Sequence, residues 1–258
     1  MAGDDTPVLV GVGTAVHRPA DGPTPGPVEL MAAAVVDTDD QRTVLGDVAW
    51  LGVAKGTWDH PDPGRALAHQ LGLGEAHTVL AEVGILQQTL IARAIEAVTE
   101  GAPAALVVGG EAAHATEGGA ASAVAESLLA DSTGPDERWT TDDYGLSHEE
   151  LARGFVNPPT VYAVIESALA HQAGRSPVEQ REHLGRLQSR FAAVTTENTD
   201  AWRRQAVDPT TIATPTTQNR LVADPYTKLC CSNLRVNQAA ALLFTTVGRA
   251  RAAGVPEE

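Results

Sequence analysis

Four short apolar runs, set apart by stretches of helical character, constrain this 258-residue chain more than any other feature. They lie at 7–13, 48–54, 78–81 and 104–108. Apolar runs of this length without polar alternation read as strands buried on both faces. Between them, residues 28–37 are Ala-rich, with Glu29 in the first turn. Residues 63–71 begin at Pro63 and stop at Gly72. Residues 85–99 carry Ile85, Leu86, Leu90, Ile91, Ile95 and Val98 at helical spacing, and Gly101 ends them. Strands alternating with helices imply βαβ units and a mostly parallel sheet covered on both faces. A further β-like apolar run, 239–246, arrives late and is followed by a short helix over 247–253. A returning strand makes the long interval before it an insertion in one domain, not a second domain in series.

That interval is polar. Residues 161–173 and 177–197 read as helices, and Ser176-Pro177-Val178-Glu179 has the spacing of a capping box. Residues 208–219 are Thr-rich and read as an irregular loop. There is no internal repeat.

Composition removes several function classes. Hydrophobic residues make up 43%, enough for a core, yet aromatics are only 4%, so helices must pack closely on Ala, Val and Leu. The formal charge of -15 opposes binding to nucleic acid or to an anionic membrane surface, since both require a basic face. No apolar run reaches the roughly 18 residues of a membrane span. The start has neither the basic nor the apolar region of a signal peptide. Cys230 and Cys231 are adjacent, so no disulfide framework is implied. Together these lead to the expectation of a cytoplasmic protein.

Motifs for bound groups are sparse. Gly11-Val12-Gly13 follows a strand, but Val16 stands where a dinucleotide fingerprint needs its third glycine, and a tight turn is the plainer reading. His60 with Asp62, His69 with His77, and His148-Glu149-Glu150 all lack the spacing of a zinc site, so no metal is expected.

The most informative pattern is strand 78–81, a turn, helix 85–99, and then Val107-Val108-Gly109-Gly110-Glu111. Much later come Arg220 to Leu229, including Asp224-Pro225-Tyr226-Thr227-Lys228, and then Asn237-Gln238-Ala239-Ala240-Ala241. In this order the pattern resembles the thiolase superfamily. The nearest likeness is to the sterol-carrier-protein-type thiolases and their bacterial, acetyl-CoA acetyltransferase-like relatives. Gly109-Gly110-Glu111 resembles the family's Gly-Gly-x-Glu turn, and Asn237 to Ala241 stands where the family has Asp-Gly-Ala-Ala-Ala. The resemblance implies the amino-terminal half of a thiolase. That is a five-stranded, mixed, mostly parallel sheet with helices on both faces, formed by 1–111 and 221–258. A largely helical loop-domain insertion over 112–220 would cover coenzyme A. The end at Val255-Pro256-Glu257-Glu258 falls where the resemblance places a linker to a second half, which would carry the family's histidine and second cysteine.

The resemblance also places a nucleophilic cysteine at the start of the third helix, where the helix dipole favours a thiolate. The matching stretch, Ala81-Glu82-Val83-Gly84-Ile85-Leu86-Gln87-Gln88, has no Cys and no Ser; Gly84 falls near the nucleophile position. Thr89 is the first hydroxyl and reads as more than a turn into the helix. No catalytic residue is therefore assigned. Cys230 and Cys231 read as small, partly buried residues, with Lys228 placed to lower a thiol pKa. For coenzyme A or an acyl-CoA, Trp202, Arg203, Arg204 and Arg220 are the candidate contacts, with Arg186 and Arg190 nearby in sequence. A solvated helix end with Trp202 tucked in is the plainer reading. Three functions stay open. The chain is an acyl-CoA-binding thiolase-like protein of lipid metabolism that has lost Claisen chemistry or needs a missing half. Or it is a subunit of a split acyltransferase, or of an aldolase beside an OB-fold partner. Or it is a non-catalytic interaction module, with a homodimer formed through the third helix.

Overall fold

Each apolar run of the sequence is a strand in the computed structural model, which describes residues 3–38, 44–114, 134–141, 147–155, 157–233 and 235–256. The elements run β1 (Pro7–Val16), α1 (Pro27–Val36), β2 (Val48–Ala54), α2 (Pro63–Leu71), β3 (His77–Ala81), α3 (Gln87–Thr99), β4 (Ala104–Ala112) and β5 (Glu137–Trp139). They continue with α4 (His148–Ala152), α5 (Pro158–Gln172), α6 (Pro177–Val194), α7 (Pro209–Ala213), β6 (Leu221–Ala223), β7 (Tyr226–Thr227), β8 (Asn237–Thr246) and α8 (Val247–Ala252). Two compact units divide the chain. One comprises Met1–Asp142 with Arg235–Glu258, the other Asp143–Leu234.

The first unit is built on one mixed sheet in the order β1-β8-β4-β2-β3-β5. β2 pairs parallel with β3 and with β4, and β3 pairs parallel with β5. β8 runs antiparallel between β1 and β4. The sheet thus has six strands where five were expected. The extra one, β5, is three residues of polar sequence at the edge, too short to show a period. It also carries the sheet unit past residue 111. Its anchor is Asp136, whose carboxylate accepts from the Thr78 amide at 2.7 Å, the Thr78 hydroxyl at 3.1 Å and Arg65 at 2.9 Å.

Alternate residues of the central strands feed two separate cores. Leu51, Val53, Leu80, Leu106 and Val108 pack with α1 and α2 through Met31, Val35 and Leu67. Trp50, Val79, Ala81, Ala105 and Val107 pack with Leu90, Ala94 and Val98 of α3. α2 and α3 therefore lie on opposite faces.

The glycines of Gly11-Val12-Gly13 are not a turn. They sit inside β1, where α1 comes within backbone contact. A Cβ on Gly13 would stand 2.0 Å from the Ala34 carbonyl oxygen, and one on Gly11 would stand 2.2 Å from that of Thr38. Asn237, fully buried, ties down the far end of the same strands. Its Oδ1 accepts from the His114 amide at 3.0 Å, and its Nδ2 donates to the His17 carbonyl at 3.1 Å.

In the second unit, Ser176 accepts from the Glu179 amide and opens α6 as the capping box implied. Residues 208–219 are not an irregular loop throughout. Asp208 caps α7, and buried Asn219 donates from Nδ2 to the carbonyls of Thr211, Ile212 and Thr214 while its Oδ1 accepts from the Leu229 amide. The order comes from one amide side chain meeting distant backbone, which local periodicity does not reveal. Glu166 on α5 accepts from Tyr226 at 2.9 Å and from Gln180, and joins α5 and α6 to the β6–β7 hairpin.

Two outcomes follow. Gly13→Val should cost about 3 kcal/mol or more, read as a lowered urea midpoint, because the obstacle is a helix carbonyl and not a movable side chain. For Asp136, hydrogen bonds from Thr78 lead the interactions that hold its carboxyl below the ordinary range, against the opposing effect of burial. A depressed folded-state value means stability that is present above about pH 4 and lost as the pH falls through that lower value. Asp136→Asn should remove about 1 kcal/mol at neutral pH, discounted for exposure, and should flatten the acid limb of a stability-against-pH curve.

Candidate functional site

Chain topology singles out one place in the sheet. The chain leaves β2 for α2 on one face and leaves the neighbouring β3 for α3 on the other. In open α/β sheets such a reversal opens a crevice at the carboxyl ends of the two strands, and that is where ligands sit.

Charged residues stand at these strand ends. Lys55 follows β2 and its amide donates to the Ala81 carbonyl at 2.9 Å; Glu82 follows β3 and its amide donates to the Trp139 carbonyl at 2.9 Å. The Lys55 Nζ lies 3.2 Å from Glu82 Oε2, and Arg138 of β5 pairs with Glu82 Oε1. Burial opposes ionisation of Glu82, but the hydrogen bonds and charges of Lys55 and Arg138 prevail and hold its carboxyl below the usual range. Arg138 also donates to the Pro61 carbonyl at 3.1 Å. Two cations to one carboxylate leave the group positive in a strongly acidic chain.

The loop from β2 to α2 is pinned by Gly109-Gly110-Glu111. The indole of Trp58 donates to the Gly110 carbonyl at 2.8 Å, and Glu111 Oε2 accepts from the Thr57 amide at 2.7 Å. His60 in the same loop accepts at Nδ1 from the Asp62 amide, and its buried Nε2 has no hydrogen-bond partner among the described residues. Burial pushes its pKa down, against the pull of Asp62, Glu29 and Asp59. Asp62 spends its carboxylate on the Arg65 amide at the start of α2. His69 closes α2, and His77 pairs with Glu137 at 2.8 Å. Among the described residues no cluster of His, Cys, Asp or Glu is arranged to hold a metal ion.

Gly84 stands in the turn before α3, with φ +106, a left-handed value that favours glycine. The Ile85 amide closes this turn on the Glu82 carbonyl at 3.1 Å, so the helix starts at Gln87 rather than at 85. Thr89 consequently lies in the first turn, and not beyond it as the sequence suggested. From Ala81 to Gln88 the side chains are one carboxylate, aliphatics and the amides of Gln87 and Gln88, with neither a thiol nor a serine hydroxyl.

The remaining candidates belong to the second unit. Cys230 and Cys231 are half-buried at a short turn after β7. Burial, then the neighbouring Cys230, pushes the Cys231 thiol up; Lys228 and Arg220 pull the other way without prevailing. A thiol raised in this way is a poor nucleophile. Trp202 is half-buried, with Arg203 and Arg204 exposed after α6; Arg204 donates to the Thr196 carbonyl at 3.2 Å. Arg220 is exposed beside β6 and its guanidinium reaches the Leu221 carbonyl at 3.4 Å. A cleft of about 500 Å³ in this unit is lined instead by Arg181, Glu182, Arg186, Pro209, Thr210 and their neighbours. Arg181 is committed to Asp224 at 2.6 Å, which leaves Arg186 to face a ligand. Sequence reasoning named Arg186 but missed Lys55, Glu82 and Arg138. Their nearness arises from strand pairing, and no local motif marks it. Iodoacetamide at pH 8 should alkylate Cys231 at least about threefold more slowly than free cysteine, followed by peptide mass mapping.

No family model and no curated protein sequence matches the chain. Solved structures do. A monomeric SCP2-thiolase like protein type 1 from Mycobacterium smegmatis matches with TM-score 0.75 and 25% identity, over 99% of this chain and 49% of that one. The Ltp2-ChsH2(DUF35) aldolase matches with TM-score 0.63 and 18% identity, over 96% and 57%. The dimeric peroxisomal thiolase of Saccharomyces cerevisiae matches with TM-score 0.59 and 12% identity, over 99% and 68%. The chain thus spans about half the length of the first two. With a mixed sheet flanked on both faces by helices and a match over nearly its whole length, this chain has a thiolase-like fold.

Proposed function

We propose that this chain is an acyl-CoA-binding, thiolase-like protein that carries out no Claisen or thiolysis chemistry by itself. The observation that carries the reading is the turn before α3. It lies between the carboxyl end of β3 and the start of α3, where a nucleophile would gain from the helix dipole, yet no thiol or serine is present there. Lys55 and Arg138 give the crevice a positive character suited to the polar end of a thioester. Taken by itself, the second unit offers Arg186 on its cleft and Trp202, Arg203, Arg204 and Arg220 on its surface, groups able to bind phosphate and to stack on an adenine.

A second reading is that the chain is one subunit of an acyltransferase or aldolase whose remaining groups come from a partner. The likeness to a structure named as a complex, the Ltp2-ChsH2(DUF35) aldolase, favours it. A purely non-catalytic interaction role is the third.

Titration calorimetry with acetyl-CoA should show binding, and Arg203→Ala/Arg204→Ala should weaken it by about tenfold. Acetoacetyl-CoA incubated with coenzyme A and the purified chain should give no thiolysis above background, and mass spectrometry should find no acylated side chain. A trapped acyl group would overturn the first reading. A chain that binds no acyl-CoA, yet gains activity when a separate subunit is added, would favour the second.

A further inference from the structure

Cys230 and Cys231 are the only two cysteines of the chain, and the reading above uses neither. Backbone shape draws them together. Lys228–Cys230 form a 3-10 turn that ends at Cys231, whose φ -101 and ψ 145 are extended. In a continuous strand, neighbouring side chains point to opposite faces. Here the change from helical to extended backbone breaks that alternation, and both sulfurs turn to one residue. Cys231 donates to the Thr227 carbonyl at 3.4 Å, and Cys230 Sγ lies 3.5 Å from Thr227 Oγ1. The Thr227 hydroxyl spends its own hydrogen on the Ile212 carbonyl at 2.7 Å, so Cys230 is the donor in that contact.

The turn is well anchored. Thr227 is fully buried, the Lys228 amide donates to the Arg220 carbonyl at 2.9 Å, and the Leu229 amide donates to Asn219 Oδ1 at 2.9 Å. The thiols themselves are half-buried, within reach of a small reagent. A bound metal ion would need more ligands, and among the described residues none are gathered. The other chemistry of paired thiols is oxidation. Cα atoms across one trans peptide lie about 3.8 Å apart, below the roughly 4.4 Å at which ordinary disulfides begin. A ring closed across that peptide is strained, and strained disulfides are the easily reduced, regulatory kind rather than the structural kind.

We infer that Cys230 and Cys231 form a reversible oxidation site, closed to a vicinal disulfide by a small anionic disulfide of the glutathione class and reopened by the matching thiol. Burial holds the Cys231 thiol protonated, so Cys230 is assigned the first attack. Its thiolate bonds to one sulfur of the small disulfide and expels the other half as a thiolate. Cys231 then attacks the Cys230 sulfur and expels the second half. The cysteine pair gives up two electrons and two protons, and the small disulfide is reduced to two thiols. The second step is intramolecular, so proximity offsets the weakness of Cys231 as a nucleophile. Lys228 and Arg220, close enough to favour the Cys231 thiolate, also suit the carboxylates of such a reagent. Ring closure ends the Cys231 hydrogen bond to Thr227 in the last turn before the chain leaves the second unit. The inference goes beyond the acyl-CoA reading and is tested without acyl-CoA.

The full chain is incubated with an excess of glutathione disulfide and read by intact mass and by mapping the tryptic peptide 229–235, which holds both cysteines. The expected product is a monomer lighter by about 2 Da that retains no glutathione and returns to its starting mass with dithiothreitol. Cys231→Ser should instead hold one glutathione, because the resolving thiol is gone. In urea, with the turn unfolded, the ratio of ring to mixed disulfide should fall by about tenfold or more. Phenylarsine oxide, which bridges two thiols without oxidising them, should bind one per chain, and Cys230→Ser or Cys231→Ser should each weaken it by about tenfold or more. A wild-type chain that stays reduced, keeps glutathione, links to a second chain, or closes the ring no more readily folded than in urea would overturn the proposal.

Discussion

β8 is the strand on which the first unit depends. It arrives from far along the chain and pairs over its length with β1 on one side and β4 on the other. Without it, β1 would have no neighbour and the parallel set β4-β2-β3-β5 would end in an open edge. Its first residue, Asn237, carries a polar side chain into the core, where it must find partners, and it does so on the segments after β1 and after β4. One return strand therefore joins the ends of the sheet unit and lets a separate helical unit leave and rejoin the chain.

The same sheet positions the candidate site. Helices depart from β2 and β3 to opposite faces, and the short edge strand β5 brings Arg138 beside Glu82. Gly109, Gly110 and Glu111, which lie inside β4 and not in a turn as the resemblance implied, hold the β2–α2 loop through Trp58 and Thr57. What this frame presents is a Lys–Glu–Arg group and a helix start without a sulfur. Such a frame does not by itself fix a chemistry, because packing and reactivity rest on different residues.

The second unit is held by polar side chains more than by apolar burial. Asn219 and Glu166 each gather several partners from separate elements. Meanwhile Tyr162, Ile165 and Leu169 on α5 remain exposed. Glu166 also has a cost for its partner. Burial, and then the hydrogen bond to Glu166, pushes the Tyr226 hydroxyl well above its ordinary range, so that it serves as a fixed donor.

Sequence alone determined the strand and helix order of the first unit apart from β5, since runs such as 48–54 and 104–108 are apolar throughout and read as buried on both faces. It also determined that the turn before α3 lacks a thiol, because composition needs no coordinates. Tertiary structure decided the rest. It made Gly11 and Gly13 a seat for α1 instead of a turn, gave 208–219 its order through Asn219, and added β5 as a sixth strand. It also brought Lys55, Glu82 and Arg138 together from three strands. Those outcomes turn on contacts between residues tens of positions apart, whose energies depend on which strand lies beside which, and no local pattern carries that information.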